Sequence, residues 1–518
     1  MIPSQTPVTF YERSIFLAIL LLLVSIQVGT INQQSFFMDE VEEIGFARGD
    51  FWTSVFMPDS MPPLFTVTLR SWLSIVGADS GARWLSCIFG VVSTYVTWRF
   101  SRQFMSVQAG LMATALFAFS PLQLYYAQLV RGYAMMTMWS CLSINAFLLA
   151  TTTMRVRYWI GFTVCCVLGM YTHYYFIMIP MSLFLSWFAG CYRGFCSCDR
   201  GKPLILSSAV LVIAAMTLLM FLKIDFQYQT GLREPRPLSL AAAVYTYFSF
   251  FSGYALGPSQ RELHANPNET FEAFPWIMLT CAAVLPLVVW ALRRSHNRGL
   301  IICLCCLMTL PLVAIGMLGI LMGVTYNVRF VCWMSFPLAM LLALSLDRSE
   351  IAGVPTNDLS WNSVRENRVQ LLLLIVVLSV FGIANYQRVY SSRYQFEDTR
   401  GVAKFLKANK ADEDTVFVVS DYMNAPLEYY LPTHAARMME LPVPNVRNVV
   451  LSDKASVVRA LQVMLNETQD RYWFVYSRSF HGDPQGLLIK ELKLRGLQFD
   501  RDFAGAQVYH GTKSGLSL

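Results

Sequence analysis

The chain has 518 residues, 55% of them hydrophobic and 14% charged, with a formal net charge of +7 and a mean hydropathy of +0.45. Water-soluble domains are about 25% charged, so this composition excludes an ordinary soluble enzyme, a disordered chain and a nucleic-acid-binding protein. Lipid is the main solvent. The surplus of positive charge then asks first for cationic cytoplasmic loops, and only afterwards for an acidic partner.

A helix that crosses a bilayer needs about 20 apolar residues. Eleven such spans are predicted, over 15–31, 83–101, 107–124, 132–150, 157–171, 173–190, 204–223, 273–292, 299–321, 329–346 and 369–386. The first reads as a retained signal anchor. Arg13 alone makes a weak basic leader, and Val28, Gly29 and Thr30 form a poor cleavage site. An odd number of spans puts the termini on opposite sides.

With the N-terminus inside, the inner connections carry fourteen cations: Arg13, Arg99, Arg102, Arg155, Arg157, Arg193, Arg200, Lys202, Arg293, Arg294, Arg298, Arg348, Arg365 and Arg368. The short outer connections carry only Arg131 and Arg329. This is the positive-inside asymmetry, so the orientation is N-inside, C-outside, and most of the net charge reports topology. All twelve cysteines fall between Cys87 and Cys332, in spans or inner loops, which leaves the outer loops without a disulfide framework. Cys191, Cys196 and Cys198 make a poor zinc pattern; palmitoylation or no role fits them better.

Three segments leave the membrane on the outer side. Residues 32–82 hold Asp39, Glu40, Glu42 and Glu43 and then a Met61–Phe65 turn, and they read as short interfacial helices. Residues 224–272 contain an aromatic run, Tyr245–Phe251, suited to the headgroup region. Residues 387–518 alternate helical patterns (Thr399–Lys407, Lys454–Leu465) with strand-like runs (Thr415–Ser420, Arg471–Tyr476). They are expected to form one small α/β domain, and residues 1–386 the transmembrane core. Asn268 and Asn466 open glycosylation triplets of the kind that arise often by chance.

Charged side chains at the rim of a helix bundle are costly and mark candidate sites. On the outer side the topology gathers Asp39 and Glu40, Arg131, His173 and Arg329, with aromatic residues such as Tyr126, Tyr133 and Tyr174 beside the last three. Taken singly, each has a bland explanation: a solvated loop start for the acids, snorkelling anchors for the arginines, a packing role for the histidine. Lys223, Asp225 and Arg261 read as loop charges. Taken together, the set suits transfer from a lipid-linked phosphosugar. Arginines hold phosphate oxygens and stabilise the charge on the departing phosphate, a carboxylate takes the acceptor's proton, and flat rings receive a sugar.

At these residues the sequence resembles the polyprenyl-phosphate-sugar-dependent glycosyltransferases of the GT-C fold. It is most similar to bacterial relatives of the dolichyl-phosphate-mannose protein mannosyltransferases and of lipid A aminoarabinose transferase. The family's acidic pair after span one matches Asp39 and Glu40. Its Pro-Leu-Tyr, Gly and Arg-x-x-Ser pattern matches Pro63–Phe65, Gly77 and Arg83–Ser86. Its Ser-Pro to Arg-x-Tyr motif matches Ser120–Pro121 through Tyr126–Tyr133, and its late Arg-Tyr and Pro match Arg329–Phe330 and Pro337. The tail opens as in relatives with a C-terminal outer domain, at Thr399–Leu406 and Glu428–Leu431.

The resemblance implies a mainly α, polytopic GT-C bundle of about eleven spans with a C-terminal extracytoplasmic α/β domain, in a bacterial inner membrane. It implies transfer of a hexose-type sugar from a polyprenyl-phosphate donor to a hydroxyl of a protein, lipid or polysaccharide, with inversion. Asp39 would be the general base, with Glu40 assisting or positioning the acceptor. Arg131 and Arg329 would bind the donor phosphate, and His173, Tyr174, Tyr133 and Tyr126 would line the site. One departure bears on cofactors. Leu129 stands where relatives often have Glu, so no obligatory metal is expected, with a divalent ion left open. The rival classes are a transporter or flippase, which places its ionisable groups near mid-bilayer and often shows duplication, and a sensor or scaffold, which leaves the charged set without a purpose.

Overall fold

A computed structural model describes residues 8–56, 61–153, 155–192, 201–229, 238–295, 297–347, 367–432, 437–441, 451 and 453–516. Cys196, Cys198, Arg193, Arg200, Arg348 and Arg365 lie outside them. The chain divides into two compact units. One comprises Met1–Ile31, Phe46–Leu256 and Phe274–Asn385; the other comprises Asn32–Gly45, Gly257–Ala273 and Tyr386–Leu518. The sequence suggests one cut near residue 386; by contacts the second unit also takes up two short segments that precede it.

The first unit is helical. The eleven apolar runs fall largely in helix, because a backbone in lipid satisfies its polar groups internally only as a helix or closed barrel; the run at 107–124 is interrupted at Ser120, between the helices Val107–Phe119 and Pro121–Tyr126. Six of the described helices are long and apolar enough to span a bilayer, and further apolar helices are shorter. The run expected at 157–171 forms the helix Val156–Thr172, and that at 173–190 opens with a 3-10 turn, Tyr174–Ile177, before Met178–Tyr192.

The tenth run departs from a single helix. It begins as a 3-10 turn over Val328–Met334, continues as the helix Ser335–Ala343, and closes as a second 3-10 turn over Leu344–Leu346. Val331 leaves helical geometry at φ −122°, ψ 16°. Pro337 falls within the first turn of the new helix, where a missing N–H removes no intrahelical bond. The outer segment after span one contains the expected short helices, Met38–Arg48, Phe51–Phe56 and Leu64–Val76. The aromatic run 245–251 lies in the helix Leu240–Ser252.

The second unit carries a five-stranded sheet in the order β2-β1-β3-β5-β4. Its strands are β1 (Thr415–Val419), β2 (Arg437–Leu441), β3 (Arg471–Ser477), β4 (Gln498–Phe503) and β5 (Ala506–Thr512). β1 runs parallel to both β2 and β3, whereas β5 is antiparallel to β3 and β4. Alternate residues point to opposite faces. Phe417, Tyr472, Phe474 and Tyr509 therefore pack with the helices Lys454–Glu467 and Leu487–Leu494, and Val416, Val418, Trp473 and Val508 with Thr399–Asn409 and Asn424–Tyr430. Burial on both faces explains why β1 reads as a continuous apolar run.

Candidate active site

In the first unit, other segments approach the Ser120–Tyr133 motif that carries Arg131. The motif from Ser120 to Tyr133 folds as a short helix, Pro121–Tyr126, then a turn, then the start of the long helix Tyr133–Thr153. Two glycines let other segments approach it. Gly253 ends the helix Leu240–Ser252 at φ +51°, and a Cβ there would lie 2.6 Å from Pro121 Cβ. A Cβ on Gly132 would come within 3.3 Å of Thr172 Cγ2 and 3.4 Å of Phe65 Cβ. The Ser120 hydroxyl adds a hydrogen bond to the Phe250 carbonyl at 3.1 Å.

These approaches align a row of rings. The hydroxyls of Tyr126 and Tyr254 are 3.1 Å apart. Ring centroids then follow at 4.8 Å from Tyr126 to Tyr133, 5.9 Å from Tyr133 to His173, and 5.8 Å from His173 to Phe330. Tyr175 stacks on Phe330 at 4.3 Å, and the Arg329 guanidinium lies 5.7 Å from the Phe330 centroid. His173 is 2% exposed, and its Nδ1 accepts the Tyr175 N–H at 3.3 Å, so the imidazole ring is fixed by its own turn. Arg131 is 4% exposed, although it follows a loop and carries a permanent charge.

The structure thus brings Tyr126, Tyr133 and His173 together, with Arg329 at one end of the row through Phe330. Tyr174 is half-buried beside them, and it is Tyr175 that stacks in the row. Sequence reasoning gave no site role to Tyr175, Phe330 (quoted only within the Arg329–Phe330 motif) or Tyr254. The available signal for the first two was adjacency to residues already singled out. Tyr254 gave none, because it meets Tyr126 across 128 positions of chain.

Asp39 and Glu40 belong to the second unit, at the start of the helix Met38–Arg48. Carboxylates in a first helical turn face the unpaired N–H groups there, and Glu40 Oε2 accepts the Phe37 N–H at 3.0 Å. Glu40 is fully buried and Asp39 half-buried. The chain leading into this helix is held by the two tail motifs noted in the sequence. The Ser35 hydroxyl donates to Asp398 Oδ1 at 3.0 Å and accepts the Arg400 N–H at 3.1 Å. Arg400 also donates to the carbonyls of Asn32 and Gln34, at 3.2 and 2.8 Å. From the second motif, the Tyr430 hydroxyl accepts the Phe36 N–H at 2.9 Å. Gly401 leaves room for the Asp398 carboxylate, which caps the helix Thr399–Asn409 through the Gly401 N–H at 3.0 Å.

Residues 60–222 match the family model for dolichyl-phosphate-mannose-protein mannosyltransferase. That stretch contains Tyr126, Arg131, Tyr133, His173 and Tyr174; Asp39, Glu40 and Arg329 lie outside it. No curated protein sequence matches the chain. Among solved structures, the chain is similar to apo ArnT from Cupriavidus metallidurans, with a TM-score of 0.57 and 12% identity over 97% of this chain and 98% of that one. ArnT bound to undecaprenyl phosphate gives 0.53 and 11% over 95% and 97%. The archaeal oligosaccharyltransferase AglB from Archaeoglobus fulgidus, in complex with an inhibitory peptide and a dolichol-phosphate, gives 0.52 and 14% over 96% and 74%. The chain therefore has the GT-C fold of membrane glycosyltransferases, and its residues 60–222 carry the sequence pattern of the dolichyl-phosphate-mannose-protein mannosyltransferases.

Proposed function

We propose that this integral membrane protein transfers a hexose-type sugar from a polyprenyl-phosphate donor to an acceptor hydroxyl on the extracytoplasmic face, with inversion. The observation that carries the reading is Arg131, a buried permanent cation two residues before Tyr133 of the ring row, in a fold whose relatives include one bound to undecaprenyl phosphate. A lipid phosphate with a sugar attached supplies both an anion and a ring to stack.

In this reading Asp39 accepts the proton of the acceptor hydroxyl as its oxygen attacks the anomeric carbon. The bond from that carbon to the phosphate oxygen breaks, and the electron pair leaves with the polyprenyl phosphate. Arg131 and Arg329 stabilise the charge gained by the departing phosphate. Glu40, anchored to the Phe37 N–H, holds the helix start that carries Asp39. His173, Tyr174, Tyr133 and Tyr126 line the donor. No metal enters this step, which is consistent with Leu129 at the position where relatives often have Glu. Turnover is expected to be unchanged by EDTA.

The test uses the purified full chain and radiolabelled undecaprenyl-phosphate hexoses. Asp39→Asn should abolish loss of label from the lipid while undecaprenyl phosphate still binds, and Arg131→Met should weaken that binding. Wild-type turnover in the Asp39→Asn variant would remove Asp39 from its role.

A further inference from the structure

Arg478 is the first residue after β3, and its backbone is left-handed at φ +44°, ψ 47°. Ser420, the first residue after the neighbouring parallel strand β1, is left-handed as well, at φ +74°. Neither is glycine, and such geometry costs on the order of 1 kcal/mol or more per residue. From β1 the chain crosses to β2 on one side, and from β3 it continues toward β4 and β5 on the other. The two residues therefore stand at the carboxyl ends of adjacent parallel strands where the connections diverge. Open α/β sheets place their ligands at this point.

The crevice is occupied by the chain's own acidic segment. The Arg478 guanidinium pairs with Glu397 through two hydrogen bonds, Nε to Oε1 at 2.7 Å and Nη2 to Oε2 at 3.2 Å. Its Cζ also lies over two rings, 5.0 Å from the Phe37 centroid and 5.1 Å from the Tyr422 centroid. Phe37 stacks in turn on Phe396 at 5.3 Å. Phe37 is also the residue whose carbonyl accepts the Glu40 and Val41 N–H groups, at 3.0 and 3.1 Å, at the start of the helix that carries Asp39. Arg478 thus grips the turn that aims Asp39, and Glu397 fixes Arg478. Burial acts to lower the guanidinium's pKa, but Glu397, Tyr422 and Asp39 outweigh it and the net direction is upward, so the charge is permanent.

We propose that Arg478 is a positioning residue for the transfer reaction, holding the Phe37 turn so that the Asp39 carboxylate is set for proton abstraction. The C-terminal domain is then part of the catalytic apparatus, through a clamp built from Arg478, Glu397, Tyr422 and Phe37. This rests on the reading of Asp39 as the base, and its test separates the two.

Turnover of radiolabelled undecaprenyl-phosphate hexose is measured for the full chain and for Arg478→Met, Arg478→Lys, Phe37→Leu and Asp39→Asn. A misplacement near 1 Å lowers catalysis by on the order of 100-fold. Arg478→Met is therefore expected to lower kcat by about 10- to 100-fold with the donor KM within about twofold. Arg478→Lys, which keeps the charge but not the fork, should recover part of the loss. Phe37→Leu should lower kcat in the same sense, and it decides the matter if Arg478→Met does not fold. Wild-type kcat in Arg478→Met or Phe37→Leu, or a loss confined to KM, overturns the positioning role. If Asp39→Asn is inactive at the same time, the proposed function survives that result. Turnover by Asp39→Asn removes Asp39 as the base and with it the positioning role of Arg478, whereas absence of turnover by the wild-type chain overturns the proposed transfer itself.

Discussion

Arg83 is 4% exposed near the start of the helix Ala82–Phe104, and its Nη1 donates to the Ile31 carbonyl at 2.8 Å. Ile31 follows the helix Phe10–Thr30, so the bond satisfies a carbonyl that the helix leaves open and sets a cation at the negative end of its dipole. The resemblance marks Arg83 as a motif residue without a role; the structure makes it the cap from which the acidic segment departs. Arg83→Met leaves a buried acceptor without this donor, at a cost of about 1–3 kcal/mol. A lower Tm of the solubilised full chain is expected, with part of the loss recovered in Arg83→Lys. An unchanged Tm in Arg83→Met would contradict the capping role. The candidate acids and arginines stand out in the sequence because charge is rare in this chain. The rings between them do not, since aromatic residues are common here and only the fold selects which ones touch.

Among the elements, the helices followed the apolar runs and the strands only partly did. β1 and β3 were visible as runs of Val, Phe, Tyr and Trp. β4 has the sequence QFDRDF, with three consecutive charges, and β5 reads AQVYHGT; neither has an apolar run to find. Their pairing with β3 holds them extended instead. A staple joins the two legible strands. Asp414, just before β1, accepts from Arg471 Nη2 at 2.6 Å and from Trp473 Nε1 at 2.9 Å. Burial acts to raise the Asp414 pKa, but the bonds from Arg471, the Ala411 N–H and Trp473 outweigh it and hold it below the ordinary carboxylate value. A carboxyl depressed in the folded state contributes stability above its unfolded pKa, about 3.9, and loses it as pH falls through the lower folded value. Asp414→Asn is expected to cost about 1–2 kcal/mol at neutral pH. The Tm difference from wild type should be constant above about pH 5 and shrink below about pH 4. A difference that persists undiminished to pH 3 would show that the carboxylate's charge is not what the strands use.

At the scale of the whole molecule, the positive-inside rule predicts that most of the positive charge that opens the sequence serves orientation rather than chemistry. Arg131 and Arg329 are the exceptions among the short outer connections, and Arg329 stands beside Phe330 at one end of the ring row. The eleven apolar runs were legible because lipid imposes helices on them. The second unit's capture of residues 32–45 was not, since it depends on hydrogen bonds between positions more than 350 apart, such as Ser35 with Asp398. The central claim is the consumption of a lipid-phosphate sugar. The most direct measurement incubates the purified full chain with undecaprenyl-phosphate hexoses and an acceptor-bearing envelope extract, and follows both the lipid and the anomeric configuration of the product. Release of undecaprenyl phosphate with an inverted glycosidic linkage is the predicted result. No consumption of any such donor, alongside facilitated flux of a solute through reconstituted vesicles, would contradict it.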